Sequence, residues 1–110
     1  MKYTEVASLP ITSKYFNLLV KKIHATFIKK HNLMELPKAF QLYGYGDYDT
    51  AKPSLKSDFE AIGTEFINGK YLYDKTRQAY KGRPLIKLNK YYKSIVLLYL
   101  GYNNFKTFIS

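Results

Sequence analysis

Hydrophobic residues recur at helical spacing between Ser13 and Asn32, the longest amphipathic stretch in the chain. An α-helix turns about 100° per residue, so residues spaced at i, i+3, i+4 and i+7 face the same way. The apolar stripe consists of Phe16, Leu19, Val20, Ile23 and Phe27. The lysines that occupy the opposite side, or widen that band, are Lys14, Lys21, Lys22, Lys29 and Lys30. The pattern predicts a long helix with one buried and one cationic face, capped by Thr12 or Ser13 and ending at Asn32.

The next two segments have weaker patterns. Pro37 suits the first turn of a short helix that extends to Tyr43, although so short a segment is equally compatible with a strand. Two glycines then alternate with three tyrosines between Tyr43 and Asp49. Because glycine is unfavourable inside helices and central strands, this stretch predicts a loop with exposed aromatic rings.

A compact helix is predicted after Pro53. Ser54 or Ser57 can cap its start, and Ser57 and Glu60 have capping-box spacing. The apolar residues at i, i+4 and i+7 are Leu55, Phe59 and Ile62. Gly63 stands where a left-handed residue would end the helix.

The segment Thr64 to Asp74 contains Asn68-Gly69 between two short runs that alternate in polarity. Asn-Gly is the preferred dipeptide of a type I′ hairpin turn, so we predict a β-hairpin here, with Phe66, Tyr71 and Tyr73 packing across it. A basic loop is predicted to follow, from Lys75 to Arg83.

The C-terminal third offers a short strand, Pro84 to Leu88, and then a helix from Asn89 to Gly101 with Asn at the cap and Gly past the end. A strand over Tyr91 to Tyr99 is a nearly equal alternative. Apolar residues surround this segment, which indicates burial on several sides or a homodimer interface through Tyr91 to Leu100. At the chain ends, the predictions are an edge strand at Lys2 to Ala7 and a strand or docked tail at Phe105 to Ile109.

These elements predict one small α+β domain over residues 1–110, with helices packed on one side of a short antiparallel sheet. Their order resembles a winged helix-turn-helix: a long helix, a short segment, a capped helix and a hairpin. In that architecture the third helix, here carrying Lys56, enters the major groove, and the hairpin contacts the DNA backbone or minor groove. The loop between Tyr43 and Pro53 is longer than the tight turn of that motif, so the resemblance is one of architecture only.

The net charge says more about possible binding partners than any sequence motif does. The 18 Lys and Arg residues outnumber the 8 Asp and Glu, which gives a net charge of +10. Such an excess favours anionic partners: nucleic acid first, then an acidic protein or an anionic membrane surface. A bias toward AT-rich codons is an alternative source of part of the lysine content. The chain has no cysteine and no apolar run long enough to cross a bilayer, so we expect a cytoplasmic protein that does not enter the membrane.

Catalytic and metal-binding motifs are not recognisable in the sequence. His24 and His31 are two helical turns apart, roughly 10 Å, which is too far to share an ion. Asp47 and Asp49 lack the spacing of an EF-hand, so no metal and no other cofactor is predicted. Phosphate loops and nucleophile elbows are missing. A tyrosine nucleophile, or a metal-free ribonuclease that uses Lys, Arg and Tyr, would leave no such motif and stays open.

Residues suited to binding nucleic acid are easier to recognise than catalytic or metal-binding motifs. Cations that can bind phosphates and flat rings on which bases can stack occur together in the sequence. The candidate nucleic-acid-binding residues are Lys14, Lys21, Lys22, Lys29 and Lys30 on the first helix, Lys56 on the third, Lys70 and Tyr71 at the hairpin tip, and Lys75, Arg77, Tyr80, Lys81 and Arg83 in the basic loop. We therefore expect a non-catalytic DNA- or RNA-binding protein, a regulator or replication accessory of a phage, plasmid or other mobile element. The alternatives are a small RelE-like ribonuclease toxin, and a partner subunit or inhibitor that binds protein, an acidic protein included.

Overall fold

Five helices and a two-stranded antiparallel sheet make up the part of the chain that the computed structural model describes, residues 11–63 and 66–101. The elements in chain order are β1 (Ile11–Thr12), α1 (Ser13–His31), α2 (Ala39–Tyr43), α3 (Leu55–Gly63), α4 (Gly69–Tyr80), β2 (Leu85–Ile86) and α5 (Lys90–Tyr99). The fold is mostly helical and consistent with the α+β class.

The long first helix is confirmed. The backbone N–H of Tyr15 donates to the side chain of Thr12 at 3.4 Å, and Asn32 ends the helix in the left-handed conformation with φ of 53°. Four members of the predicted apolar stripe are buried, namely Phe16, Leu19, Ile23 and Phe27. Val20 is only half-buried.

The segment after α1 is a short helix rather than a strand, but the loop that follows differs from expectation. Tyr43 is buried, and Tyr45 and Tyr48 are half-buried, so these rings are not exposed as predicted. For Tyr43 and Tyr45 the reason is the aromatic ring of Tyr73 on α4, which lies 5.6 Å from that of Tyr43 and 5.0 Å from that of Tyr45. Contacts with another helix cannot be inferred from glycine spacing.

Helix α3 forms where predicted, with Ser54 as its cap. Ser57 N–H donates to Ser54 Oγ at 3.1 Å, and Ser54 N–H donates to Ser57 Oγ at 3.2 Å. The prediction for Gly63 is wrong, because Gly63 is the last residue of the helix and does not have positive φ. A side chain there would collide with the hydroxyl of Tyr91 and the Cδ1 atom of Ile95, so glycine permits close packing against α5.

The predicted hairpin is wrong, because Asn68-Gly69 begins helix α4. Asn68 has φ of −86° and its side chain accepts a hydrogen bond of 3.2 Å from Tyr71 N–H, which is N-cap geometry. A Cβ at position 69 would overlap the carbonyl oxygen of Tyr43 and lie 2.7 Å from that of Gly44. Glycine is thus used for close backbone approach and not for a type I′ turn.

The predicted basic loop is largely helical as well, since α4 continues to Tyr80. The winged-helix resemblance is not confirmed, because the segment that would form the wing is a helix.

The sheet is small. Ile11 pairs with Ile86 and Thr12 with Leu85, which confirms a strand within the predicted range Pro84 to Leu88. Because each strand has only two residues, the described core forms mainly between helices rather than on one face of a sheet. The predicted segments at Lys2–Ala7 and Phe105–Ile109 lie outside the described residues.

Helix α5 shows that the strand alternative for this segment is wrong. Asn89 caps it by accepting a hydrogen bond of 2.8 Å from Tyr91 N–H, and Gly101 follows with φ of 85°. Its core-facing residues are Ile95, Val96 and Leu97, together with Lys93. Only Leu98 among its apolar residues is strongly exposed, so packing within the chain accounts for most of the apolar character, and the homodimer stays a prediction.

None of the helices in residues 11–63 and 66–101 combines the length and the apolar character that crossing a bilayer requires. The longest of them, α1, carries lysines along much of its surface.

Candidate functional site

The cationic face of α1 is present. Lys14, Lys21, Lys22 and Lys29 are exposed on it. Lys30 lies on a different side, because the turn of 100° per residue places it next to the core stripe. Its Nζ atom is 3.5 Å from Asp58 Oδ1 and 5.6 Å from the ring centre of Tyr99. The charge of Lys30 is therefore partly neutralised, and this residue does not belong to the cationic face of α1.

Lys56 is also engaged within the protein. Its ammonium group forms an ion pair with Glu60 one turn further along α3 and lies 4.4 Å from the ring centre of Phe66. Only 15% of its side chain is exposed. The expected role of Lys56 in contacting DNA from the third helix is therefore poorly supported by its surroundings.

Tyr71 has a packing role rather than a position at a hairpin tip. Its hydroxyl accepts a hydrogen bond of 2.6 Å from Asn89 N–H, and its ring lies 4.6 Å from that of Tyr92. Lys75 covers the ring of Tyr71 at 5.2 Å. Lys70 is exposed in the first turn of α4.

Three of the four remaining candidates, Arg77, Tyr80 and Lys81, line one groove between α1 and α4. The groove has a volume of about 590 Å³. Asn17, Val20 and His24 line it from α1, and Leu42 and Tyr43 line it from α2. We call this feature the α1–α4 groove. Arg83 is exposed beyond α4 and does not line it.

An ordered stack forms part of the α4 wall. The guanidinium carbon of Arg77 lies 5.8 Å from the ring centre of Tyr73, and the ring of Tyr45 stacks on Tyr73 at 5.0 Å with an interplanar angle of 29°. The contact between Arg77 and Tyr73 is a cation–π interaction, which holds the guanidinium without using its hydrogen-bond donors. Arg77 is thus positioned and still able to bind an anion.

His24 and Tyr43 form a polar pair in the groove that sequence reasoning missed. His24 Nε2 and the Tyr43 hydroxyl share a hydrogen bond of 3.0 Å. Burial lowers the pKa of His24 and raises the pKa of Tyr43 to about 12, so both groups are neutral at pH 7. The pair contributes hydrogen-bonding groups but no charge to the groove.

Cations dominate the charge of the α1–α4 groove. Arg77 and Lys81 line it, and none of its described lining residues is acidic. The nearest acidic residue along α4 is Asp74, which borders a smaller depression of about 240 Å³ together with Arg77, Gln78 and Lys81. The groove itself therefore favours an anionic ligand.

A second polar cluster joins three helices away from the groove. His31 Nε2 is 2.9 Å and 3.1 Å from the two carboxylate oxygens of Asp58, and the Tyr99 hydroxyl donates to the same carboxylate at 2.7 Å. Each of the two histidines thus has its own protein partner. Within residues 11–63 and 66–101, His, Cys, Asp and Glu side chains do not gather in groups of three that could hold a metal ion.

No protein-family model matches the chain, and neither the curated protein sequences nor the solved structures contain a match to it.

Proposed function

We propose that this protein binds nucleic acid through the α1–α4 groove and performs no chemistry on it. The observation that carries the proposal is the position of Arg77 and Lys81 at a groove whose described lining residues include no carboxylate. Phosphates are attracted by such cations, and each phosphate bound releases counterions from the nucleic acid. The net charge of +10 adds a long-range attraction.

Helix α1 extends the cationic surface beyond the groove. Asn17 lines the groove, and helical spacing places Lys14 three residues before it and Lys21 four residues after it, on the same side of α1. Both lysines are exposed. They are positioned to contact phosphates on either side of a nucleotide that occupies the groove.

The proposal covers DNA and RNA, because phosphate contacts are common to both. Two further parts of the proposal rest on composition. They are a cytoplasmic location and a role as regulator or replication accessory of a phage, plasmid or other mobile element. Winged-helix DNA binding is not part of it, since the described residues form no wing.

Fluorescence anisotropy with mixed-sequence DNA and RNA oligonucleotides tests the proposal. Affinity should fall steeply between about 50 and 200 mM salt, as expected when several phosphates are bound. Arg77→Ala combined with Lys81→Ala should weaken binding and reduce the salt slope by about one for each phosphate that the variant no longer binds.

The matched control is Lys87→Ala combined with Lys90→Ala, which removes the same charge from two exposed residues outside the groove. It should retain most of the affinity. Equal losses in the two double variants would mean that only net charge matters, and absence of binding by the unmodified protein at low salt would refute the proposal. Cleavage of the RNA oligonucleotide would overturn its non-catalytic part and favour the ribonuclease alternative.

A second candidate function, binding to a protein partner, is favoured by the exposed apolar residues of one short segment. Met34 is fully exposed, and Leu36 and Phe40 are exposed nearby in sequence. Exposed apolar groups of this kind are enriched at interfaces. A chain that co-purifies with another protein and has little affinity for nucleic acid would support this alternative.

A further inference from the structure

We infer that the α1–α4 groove selects single-stranded over double-stranded nucleic acid by accepting unpaired bases. This inference rests on the proposed function and names the class of nucleic acid that the groove binds.

The surface of the groove is suited to bases rather than to phosphates alone. Val20, Leu42 and Tyr43 give it apolar and aromatic walls, while the two cations that line it, Arg77 and Lys81, are on the α4 side. In a duplex the faces of the bases are stacked and hidden, and only base edges and the sugar-phosphate backbone can be contacted. An unpaired base exposes both faces. Moving these faces from water onto such walls lowers the free energy.

Tyr80 provides the ring on which a base can stack. The residue is 91% exposed although it lines the groove, and it stands next to Lys81 at the end of α4. Tyr73, by contrast, is already in contact with Arg77 and Tyr45. An exposed ring adjacent to cations is the combination by which proteins hold single strands, with the base on the ring and the phosphate on the cation.

The size and polar groups of the groove also fit a nucleotide. Its volume of about 590 Å³ lies within the range of about 300–1,000 Å³ typical of pockets for small ligands. Asn17 is exposed at the α1 wall, and its amide offers both a donor and an acceptor to the edge of an unpaired base.

The two elements that the sequence predicted to contact a duplex, the third helix and the hairpin, do not support that role in the structure. Lys56 on α3 is paired with Glu60, and the segment expected to form a hairpin is helix α4. A major-groove reader needs a helix that projects free polar side chains toward base edges. Duplex binding by these two elements is therefore not supported, and the groove geometry favours entry of a single strand.

The test compares one fluorescein-labelled oligonucleotide with its own duplex at the same salt concentration. The unmodified protein should bind the single strand at least about tenfold more tightly. Tyr80→Ala should weaken single-strand binding by about 5- to 150-fold, the range for loss of one base–ring stack, and should leave duplex binding unchanged. Tyr80→Phe, which keeps the ring, should bind the single strand like the unmodified protein.

Because Tyr80 is so exposed, its replacement does not remove a core side chain, and the circular dichroism spectrum verifies that the variant is folded. Duplex binding as tight as single-strand binding, or full affinity in Tyr80→Ala, would overturn this inference and leave the proposed function standing. Failure to bind either oligonucleotide would instead overturn the proposed function.

Discussion

The Tyr99 hydroxyl donates a hydrogen bond of 2.7 Å to Oδ2 of Asp58, which links α5 to α3 across 41 residues of sequence. The same carboxylate binds His31 of α1 at 2.9 Å, so one side chain joins three helices. Asp58 is buried, with 5% of its surface exposed. Burial, reinforced by the adjacent carboxylate, raises the pKa of Tyr99, so its hydroxyl remains a donor over the physiological pH range.

We expect Asp58→Ala to lower the free energy of unfolding by about 3 kcal/mol or more, because it leaves His31 and Tyr99 without their buried acceptor. Tyr99→Phe should cost about 1.5–3 kcal/mol, the typical value of a hydrogen bond to a charged group. Urea denaturation measures both. In the double variant the two losses should fall short of additive by about 1 kcal/mol, and simple additivity would show that the two groups do not interact.

Replacements of Asn68 distinguish a helix start from a hairpin turn. As an N-cap, Asn68 can be replaced by Ser with little change, whereas Asn68→Ala should cost about 0.5–2 kcal/mol. In a type I′ turn, which requires positive φ, Ser would be nearly as unfavourable as Ala. Thermal unfolding followed by circular dichroism provides the comparison, and equal losses for Ser and Ala would contradict the cap.

The two faces of α1 should respond differently to truncation. Phe27 is completely buried, so Phe27→Ala should lower the free energy of unfolding by about 3–5 kcal/mol. Phe16→Ala should have a similar effect, while Val20→Ala should cost less because Val20 borders the groove. Lys21→Ala serves as the exposed control and should change stability by less than about 0.5 kcal/mol. A larger effect at Lys21 than at Phe27 would mean that the helix faces the other way.

Lys93 should make stability depend on pH in the alkaline range. Burial lowers the pKa of Lys93 to about 8, against an ordinary value of 10.5. Between these two values the unfolded chain binds more protons than the folded protein, so the free energy of unfolding rises with pH. Below the lower value lysine is charged in both states, and this contribution is constant.

The measurement compares the unmodified protein with Lys93→Met by urea denaturation at one pH below the lower value and one between the two. Tyrosines with raised pKa, such as Tyr43, act in the opposite direction at higher pH but are common to both proteins. The stability of the unmodified protein relative to the variant should increase with pH. A constant difference would indicate a lysine that stays charged in the folded protein.

Local patterns were sufficient for α1, where helical spacing and both caps agree. For α5 they left a strand over Tyr91 to Tyr99 as a nearly equal alternative, which the structure excludes. They were misleading for α4, because Asn68-Gly69 suits a hairpin turn as well as a helix start. A competing signal was present: Leu72, Thr76 and Ala79 are spaced at i, i+4 and i+7, and Leu72 and Ala79 are buried. The alternation of Phe66, Tyr71 and Tyr73 concealed it.

The candidate site was predictable only in part. Arg77, Tyr80 and Lys81 stand out in the sequence as cations and a ring close together, whether the segment is a loop or a helix. The pairing of His24 with Tyr43 depends on how α1 and α2 pack, which no local spacing encodes. The engagement of Lys56 by Glu60 was readable in principle, since these residues are four apart on a helix.

The close approach at Gly69 has a consequence for recognition. Helix α4 rests with its first residue against the backbone at the end of α2, and the same helix carries Tyr73 and Arg77 to the groove. The separation of the groove walls therefore depends on a residue that has no side chain. Any larger residue at position 69 would push α4 outward, so a mutation that touches no ligand would alter which ligands the groove admits.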